Sequence, residues 1–251
     1  PFRQADFVFN KAYYPNGIAD FREVSREFNK HGITTGILTY AHFVHPESRF
    51  VTPVPHKDLA QMQTFTLDGD LDERATFVPV AESTADVSSV VGFSITNSVV
   101  LRIDDELIVF EEANDDAPYG FVRCRRGAYG TKAASHKKDA AVGHLTQRYG
   151  LLCSRPGSDL VREIGRETAR AYNEGGFGMI YLDALDGTGC LAERPEYVPY
   201  YDAFFINEIL KHTRTVPVMD YCFVWYPMSR VGEWDCPRRG FQQCFDLHID
   251  T

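Results

Sequence analysis

The chain has no apolar run near the roughly 20 residues that a membrane-spanning helix needs, so no membrane partner is expected. Positive charge is also scarce. The formal net charge is −9, and the short run Arg123, Arg125, Arg126 does not offset it. A nucleic-acid partner calls for a basic face against phosphates, and none is expected here. Nucleotide and esterase signatures are missing too: there is no Walker loop, no GxGxxG and no GxSxG. Phosphoryl transfer, dinucleotide chemistry and α/β-hydrolase chemistry have no support from motifs, and no cofactor is expected. The six cysteines, Cys124, Cys153, Cys190, Cys222, Cys236 and Cys244, form no CxxC pair, so their spacing suggests no zinc site. No signal peptide is visible, and the chain starts Pro1-Phe2-Arg3 without a methionine.

Ordinary globular material is present: 44% hydrophobic and 24% charged residues, enough apolar content to argue against general disorder. Aromatic residues reach 13%, which suits either a Phe-rich core or the stacking of flat ligands such as sugar rings. Asp6–Asn10 reads as a short buried strand. Phe21, Val24 and Phe28 fall at helical spacing along 20–28, and Gly32 follows as a stop. Ile33–Tyr40 reads as a second strand, which completes a βαβ unit and implies a parallel sheet. From 62 to 148 helical periodicity vanishes. Short runs appear at 76–80, 98–103, 106–110 and 119–124, and Asp104-Asp105 forms a tight turn between two of them. Asp68–Glu73 alternates acids as a calcium loop does but lacks the glycine and distal glutamate, so it reads as a solvated turn and no metal is expected.

The α/β rhythm returns after 148. Ser158 caps a helix over 159–173 with Leu160, Val161, Ile164, Thr168, Ala171 and Tyr172 on one face. Strands follow at 177–183, 216–220 and 245–250, with a helix over 200–212. The expected fold class is therefore α/β: a (β/α) barrel whose first part is 1–61, a β-rich module inserted at 62–148, and the barrel's continuation at 149–251. The residues outside the insertion are too few for eight βα units, which take about 250. The barrel is thus expected to be incomplete in this chain, completed by self-association or by a C-terminal part beyond residue 251.

Two stretches resemble known families. Arg126-Gly127-Ala128-Tyr129-Gly130-Thr131-Lys132-Ala133-Ala134-Ser135-His136 resembles the RGxxGTxAxxH signature of small β modules in phage tail proteins and large secreted enzymes. That likeness implies a structural role, and His136 is given no catalytic one. Residues 159–187, ending Tyr181-Leu182-Asp183-Ala184-Leu185-Asp186-Gly187, resemble barrel glycoside hydrolases of the α-galactosidase-like and related families. That resemblance implies a carboxylate delivered at the carboxyl end of a strand, the place where such folds carry chemistry.

Asp183 is accordingly the principal catalytic candidate, although it can equally cap the next element or pair with an arginine. Glycoside cleavage uses two carboxyl groups, and Asp220 or Asp235 is the candidate partner. Trp225, Tyr226, Arg230 and Trp234 lie together after the strand ending at Asp220 and suit a sugar-binding loop. His42, His45, Asp186 and His248 are further substrate-binding candidates near strand ends. The leading expectation is an extracellular or periplasmic glycoside hydrolase with a carbohydrate substrate. One alternative is a glycan-binding domain of a surface or tail-like protein without catalysis. Another is a polysaccharide lyase with His42, His45 or Tyr226 as base and Arg230 as clamp.

Overall fold

The structure, a computed structural model, describes residues 2–191, 195–221 and 231–232. Its helices are α1 (Ile18–Lys30), α2 (Asp159–Gly175) and α3 (Val198–Leu210). Its strands in chain order are β1 (Gly36–Thr39), β2 (Gln61–Thr66), β3 (Val78–Pro79), β4 (Val100–Ile103), β5 (Glu106–Val109), β6 (Glu112–Ala113), β7 (Gly120–Val122), β8 (Ala141–Leu145), β9 (Gln147–Arg148), β10 (Leu151–Leu152), β11 (Met179–Leu182), β12 (Val218–Tyr221) and β13 (Val231–Gly232). They divide into two compact units: residues 1–8 with 42–167, and residues 9–41 with 168–251.

The first unit is antiparallel. Its largest sheet has the order β2-β8-β4-β5, a second has β3-β7-β6, and β9 pairs with β10. The Asp104-Asp105 turn closes the β4–β5 hairpin with Asp104 in the left-handed region, and Val100 to Ile103 pair with Val109 to Glu106. Apolar side chains from both larger sheets meet in one core that includes Phe65, Leu101, Ile103, Ile108, Phe110 and Phe121. Phe110 and Phe121 tilt against each other with centroids 4.7 Å apart, a geometry that adds to simple area burial. Gly120 permits the β3–β7 pairing. Its φ is +153°, and a Cβ there would stand 2.5 Å from the Val78 carbonyl oxygen.

The second unit is built on a parallel sheet of order β1-β11-β12-β13. Gly36–Thr39 pair with Met179–Leu182, and these in turn with Val218–Tyr221. Parallel neighbours need crossovers, and α3 supplies the one between β11 and β12. Pro199 sits in the first turn of α3, where a missing N–H costs nothing. Phe21 of α1 anchors an aromatic cluster with Phe9, Tyr14 and Phe177.

The barrel expectation is corrected by these strands. Among the described residues there are three helices and several small sheets, both parallel and antiparallel, and the parallel set is four strands in open order. The βα alternation read along the chain is a local pattern, whereas closure depends on strand number and shear across the whole sheet. Two smaller expectations also change. Asp6–Asn10 forms no strand: Phe7 has φ +51°, and Asp6 is held by Arg3 at 2.9 Å and by the Arg49 backbone N–H at 3.0 Å. On α1, Phe21 is half-buried and Ser25 is the buried residue, while Val24 and Phe28 are exposed. The six α2 positions expected to face inward are all buried, and the Ser158 hydroxyl accepts the Val161 N–H at 3.5 Å. The strand expected at 245–250 lies outside the described residues.

Candidate functional site

The carboxyl end of the parallel sheet gathers the groups with the most chemical promise. In open α/β sheets this is the end where ligands bind. Leu182 ends β11, the strand between β1 and β12, and Asp183 follows it directly. The next residue, Ala184, has φ +60°, so the chain turns sharply there, and the Asp183 Oδ1 accepts the Ala184 N–H at 2.8 Å. On the neighbouring strand the same arrangement recurs: Thr39 ends β1, Tyr40 follows, and Ala41 has φ +38°. A non-glycine residue in this region carries backbone strain, and such strain tends to collect at functional sites. Two adjacent strand ends thus present one side chain each, just before a left-handed alanine.

Burial raises the pKa of the Tyr40 hydroxyl, and the negative charge of Asp183 raises it further. Tyr40 therefore stays a protonated donor on the strand end next to that of Asp183. Such a pair can grip a substrate hydroxyl and hold the carboxylate in place. Asp220 lies one strand further, opposite Tyr181 in the β11–β12 register. The connection leaving β11 adds exposed aromatics at the start of α3: Tyr200 is 64% exposed, and its ring packs against Tyr201 at 5.4 Å.

The remaining candidates divide by position. Asp186 belongs to the 3-10 segment Leu185–Cys190 that follows Asp183. His42 and His45 belong to the first unit. His42 is buried, stacks on Phe43 and shares a 2.8 Å hydrogen bond with the Ser154 hydroxyl. That hydroxyl donates its own proton to the His42 carbonyl, so the imidazole Nδ1 is the donor between them. Burial pushes the His42 pKa down to about 4, partly opposed by a hydrogen bond to its own backbone. His45 accepts the Glu47 backbone N–H at 3.1 Å and shapes its loop. Asp235, Trp225, Tyr226, Arg230, Trp234 and His248 lie outside the described residues.

Comparison with family models, with curated proteins and with solved structures finds no match for this chain. Its chemistry has to be read from its own geometry.

A second polar cluster, in the first unit, combines two carboxylates and a histidine. Glu106, 1% exposed in its side chain, accepts Arg126 Nε at 2.8 Å and Nη2 at 2.6 Å, and His136 Nε2 at 2.8 Å. It also accepts the backbone N–H groups of Gly127 and Ala134. Asp104 holds the other His136 nitrogen at 2.9 Å. Burial alone would raise the Glu106 pKa, but the Arg126 and His136 hydrogen bonds and the two backbone donors outweigh it and hold the carboxyl below its usual range. These hydrogen bonds run between the two segments, so the cluster pins the 126–136 loop to the β4–β5 hairpin. Gly127 makes this possible with φ +58°. No group of three His, Cys, Asp or Glu side chains among the described residues is arranged to hold a metal ion.

Sequence reading missed Tyr40 and Glu106. Tyr40 carried a signal, since it directly follows the apolar run of β1 as Asp183 follows that of β11. Glu106 carried a weaker one, as a charge opening the apolar run Leu107–Phe110.

Proposed function

We propose that the chain is a glycoside hydrolase acting on a neutral polysaccharide or oligosaccharide, with Asp183 as its principal carboxylate. The observation that carries this reading is the placement of Asp183 and Tyr40 at the carboxyl ends of adjacent parallel strands, each just before a left-handed alanine. A carboxylate on a rigid strand can act as nucleophile or base. Asp220 or Asp235 is the candidate for the second carboxyl group that glycoside cleavage needs. The exposed tyrosines at the start of α3 offer flat surfaces for a sugar ring. A polymeric substrate would fit an extracellular or periplasmic setting. A lyase built on His42 is less well supported, because that imidazole is enclosed and engaged with Ser154. No described helix is long and apolar enough to cross a membrane.

The test is a screen of neutral polysaccharides that reads new reducing ends and ultraviolet absorbance together. Reducing ends without absorbance support the hydrolase, and absorbing unsaturated products support a lyase. Absence of both across the panel contradicts an enzymatic role.

A further inference from the structure

The outer edge of β1 is bare and uncharged. Among the described residues β1 is the end strand of its sheet, with β11 on one side and no strand on the other. The Thr35 carbonyl accepts the Gly178 N–H at 3.0 Å, so the odd-numbered backbone groups of this segment face inward. Alternate residues of a strand turn their N–H and C=O to opposite sides, which leaves those of Gly36 and Leu38 pointing outward. Natural edge strands are shielded by charge, proline, a bulge or a covering segment. Residues 32–41 contain no Lys, Arg, Asp, Glu or Pro. The edge strand β2 of the first unit shows the contrast. There the Glu82 carboxylate accepts the Thr66 N–H and hydroxyl at 2.7 Å each.

Apolar side chains flank the β1 edge on both faces. The Thr35 and Ser25 hydroxyls are 2.8 Å apart, so α1 covers the face that bears Ile37 and Thr39, while Leu38 lies on the other face, 47% exposed. On α1, Phe21 meets Phe177, Arg22 Nε donates to the Glu174 carbonyl, and Ser25 stands beside Gly176. At about 100° per residue, Val24 and Phe28 fall on the flank turned away from these contacts, and both are exposed. The Ile33 N–H donates to the Phe28 carbonyl, which sets a third exposed apolar residue at the entry to β1. Charge does not oppose self-contact here. Asp20, Glu23 and Glu27 of α1 are balanced by Arg22, Arg26 and Lys30, whereas the whole chain stands at −9.

We infer that β1 pairs with β1 of a second copy of this chain, antiparallel across a two-fold axis at Ile37, and joins two four-stranded sheets into one. In that register Gly36 exchanges both backbone hydrogen bonds with the partner's Leu38, and Leu38 does the same with the partner's Gly36. A row of outward N–H and C=O groups is matched by an extended backbone, the mode by which strands add to a sheet edge. A second copy supplies such a backbone in self-complementary register. It also brings a neutral, apolar flank to a neutral, apolar flank, where other faces of an acidic chain repel one another. Gly36 has no side chain, which leaves space beside it for the partner's Leu38 on the same face. The carboxyl ends of the two β1 strands point in opposite directions, so the two Asp183 positions stay apart and the pairing does not rest on the glycosidase reading.

The experiment measures the mass of the whole chain in solution by sedimentation from about 1 to about 200 µM, with amide hydrogen exchange at both ends of that range. The mass should rise from that of one chain to that of two and no further. The Gly36 and Leu38 amides should exchange about tenfold more slowly, or slower still, at the high concentration. Leu38→Lys sets like charges near the axis from an exposed position and should weaken the association about tenfold or more. Thr64→Lys, at an exposed position of β2, and Asp183→Asn should each leave it unchanged. Should Leu38→Lys fail to fold, the exchange of the unaltered chain decides alone. A single-chain mass throughout, growth beyond two chains, association undiminished in Leu38→Lys, or Gly36 and Leu38 amides that gain no protection would overturn the assignment.

Discussion

Arg126 meets Glu106 with two nitrogens, at 2.8 and 2.6 Å, both side chains being almost wholly enclosed. Removing one partner of a buried pair leaves the other charge unpaired, which costs about 3–5 kcal/mol. Glu106→Ala, which also strands His136 and two backbone N–H groups, is expected to lose stability in that range, measured as a lower urea midpoint. Asp70→Asn breaks an exposed pair with Lys137 and should leave the midpoint unchanged.

His42 predicts the acid behaviour of the first unit. Its folded pKa is about 4, against an ordinary value of about 6.5. The unfolded chain therefore takes up a proton at higher pH than the folded one. Stability from burying the neutral ring is fully present above about pH 6.5 and is lost as the pH falls toward 4, on the order of 3 kcal/mol in all. His144 is shifted in the same direction by burial and adds to the slope. Denaturation midpoints measured from pH 7 to pH 4 should fall, and His42→Gln should flatten that fall.

Gly120→Ala and Gly69→Ala make a matched pair. A Cβ at Gly120 meets the Val78 carbonyl oxygen at 2.5 Å and the Phe77 ring at 2.7 Å, in a backbone conformation that alanine rarely adopts. A Cβ at Gly69 meets nothing within 4 Å. The first substitution should cost more than about 2 kcal/mol by thermal or urea unfolding, and the second should stay within about 0.5 kcal/mol.

Tyr40→Phe removes the hydroxyl on the strand end next to that of Asp183 and leaves the ring. If that hydroxyl positions substrate or carboxylate, kcat/KM on the preferred glycan should fall about 10- to 100-fold, as expected for one hydrogen bond to a charged group. The circular dichroism spectrum should be unchanged.

Local features of this fold were legible in the sequence where short-range chemistry decides them. The Asp104-Asp105 turn lies between two apolar runs, and α2 shows its cap at Ser158 and six inward positions. Asp183 was legible because an apolar run ends on it. Features set by distant partners were not. Phe7 leaves the extended region in a segment whose Asp6 is tied to Arg49, far along the chain. Barrel closure is a property of the whole sheet, and an open four-stranded order has the same local βα rhythm.

The central claim is that Asp183 performs catalysis, and the most direct measurement compares wild type with Asp183→Asn on the neutral glycan that wild type cleaves best. Release of reducing ends should fall about 10²–10⁴-fold, with thermal stability retained. An Asp183→Asn protein that cleaves at the wild-type rate would contradict the account.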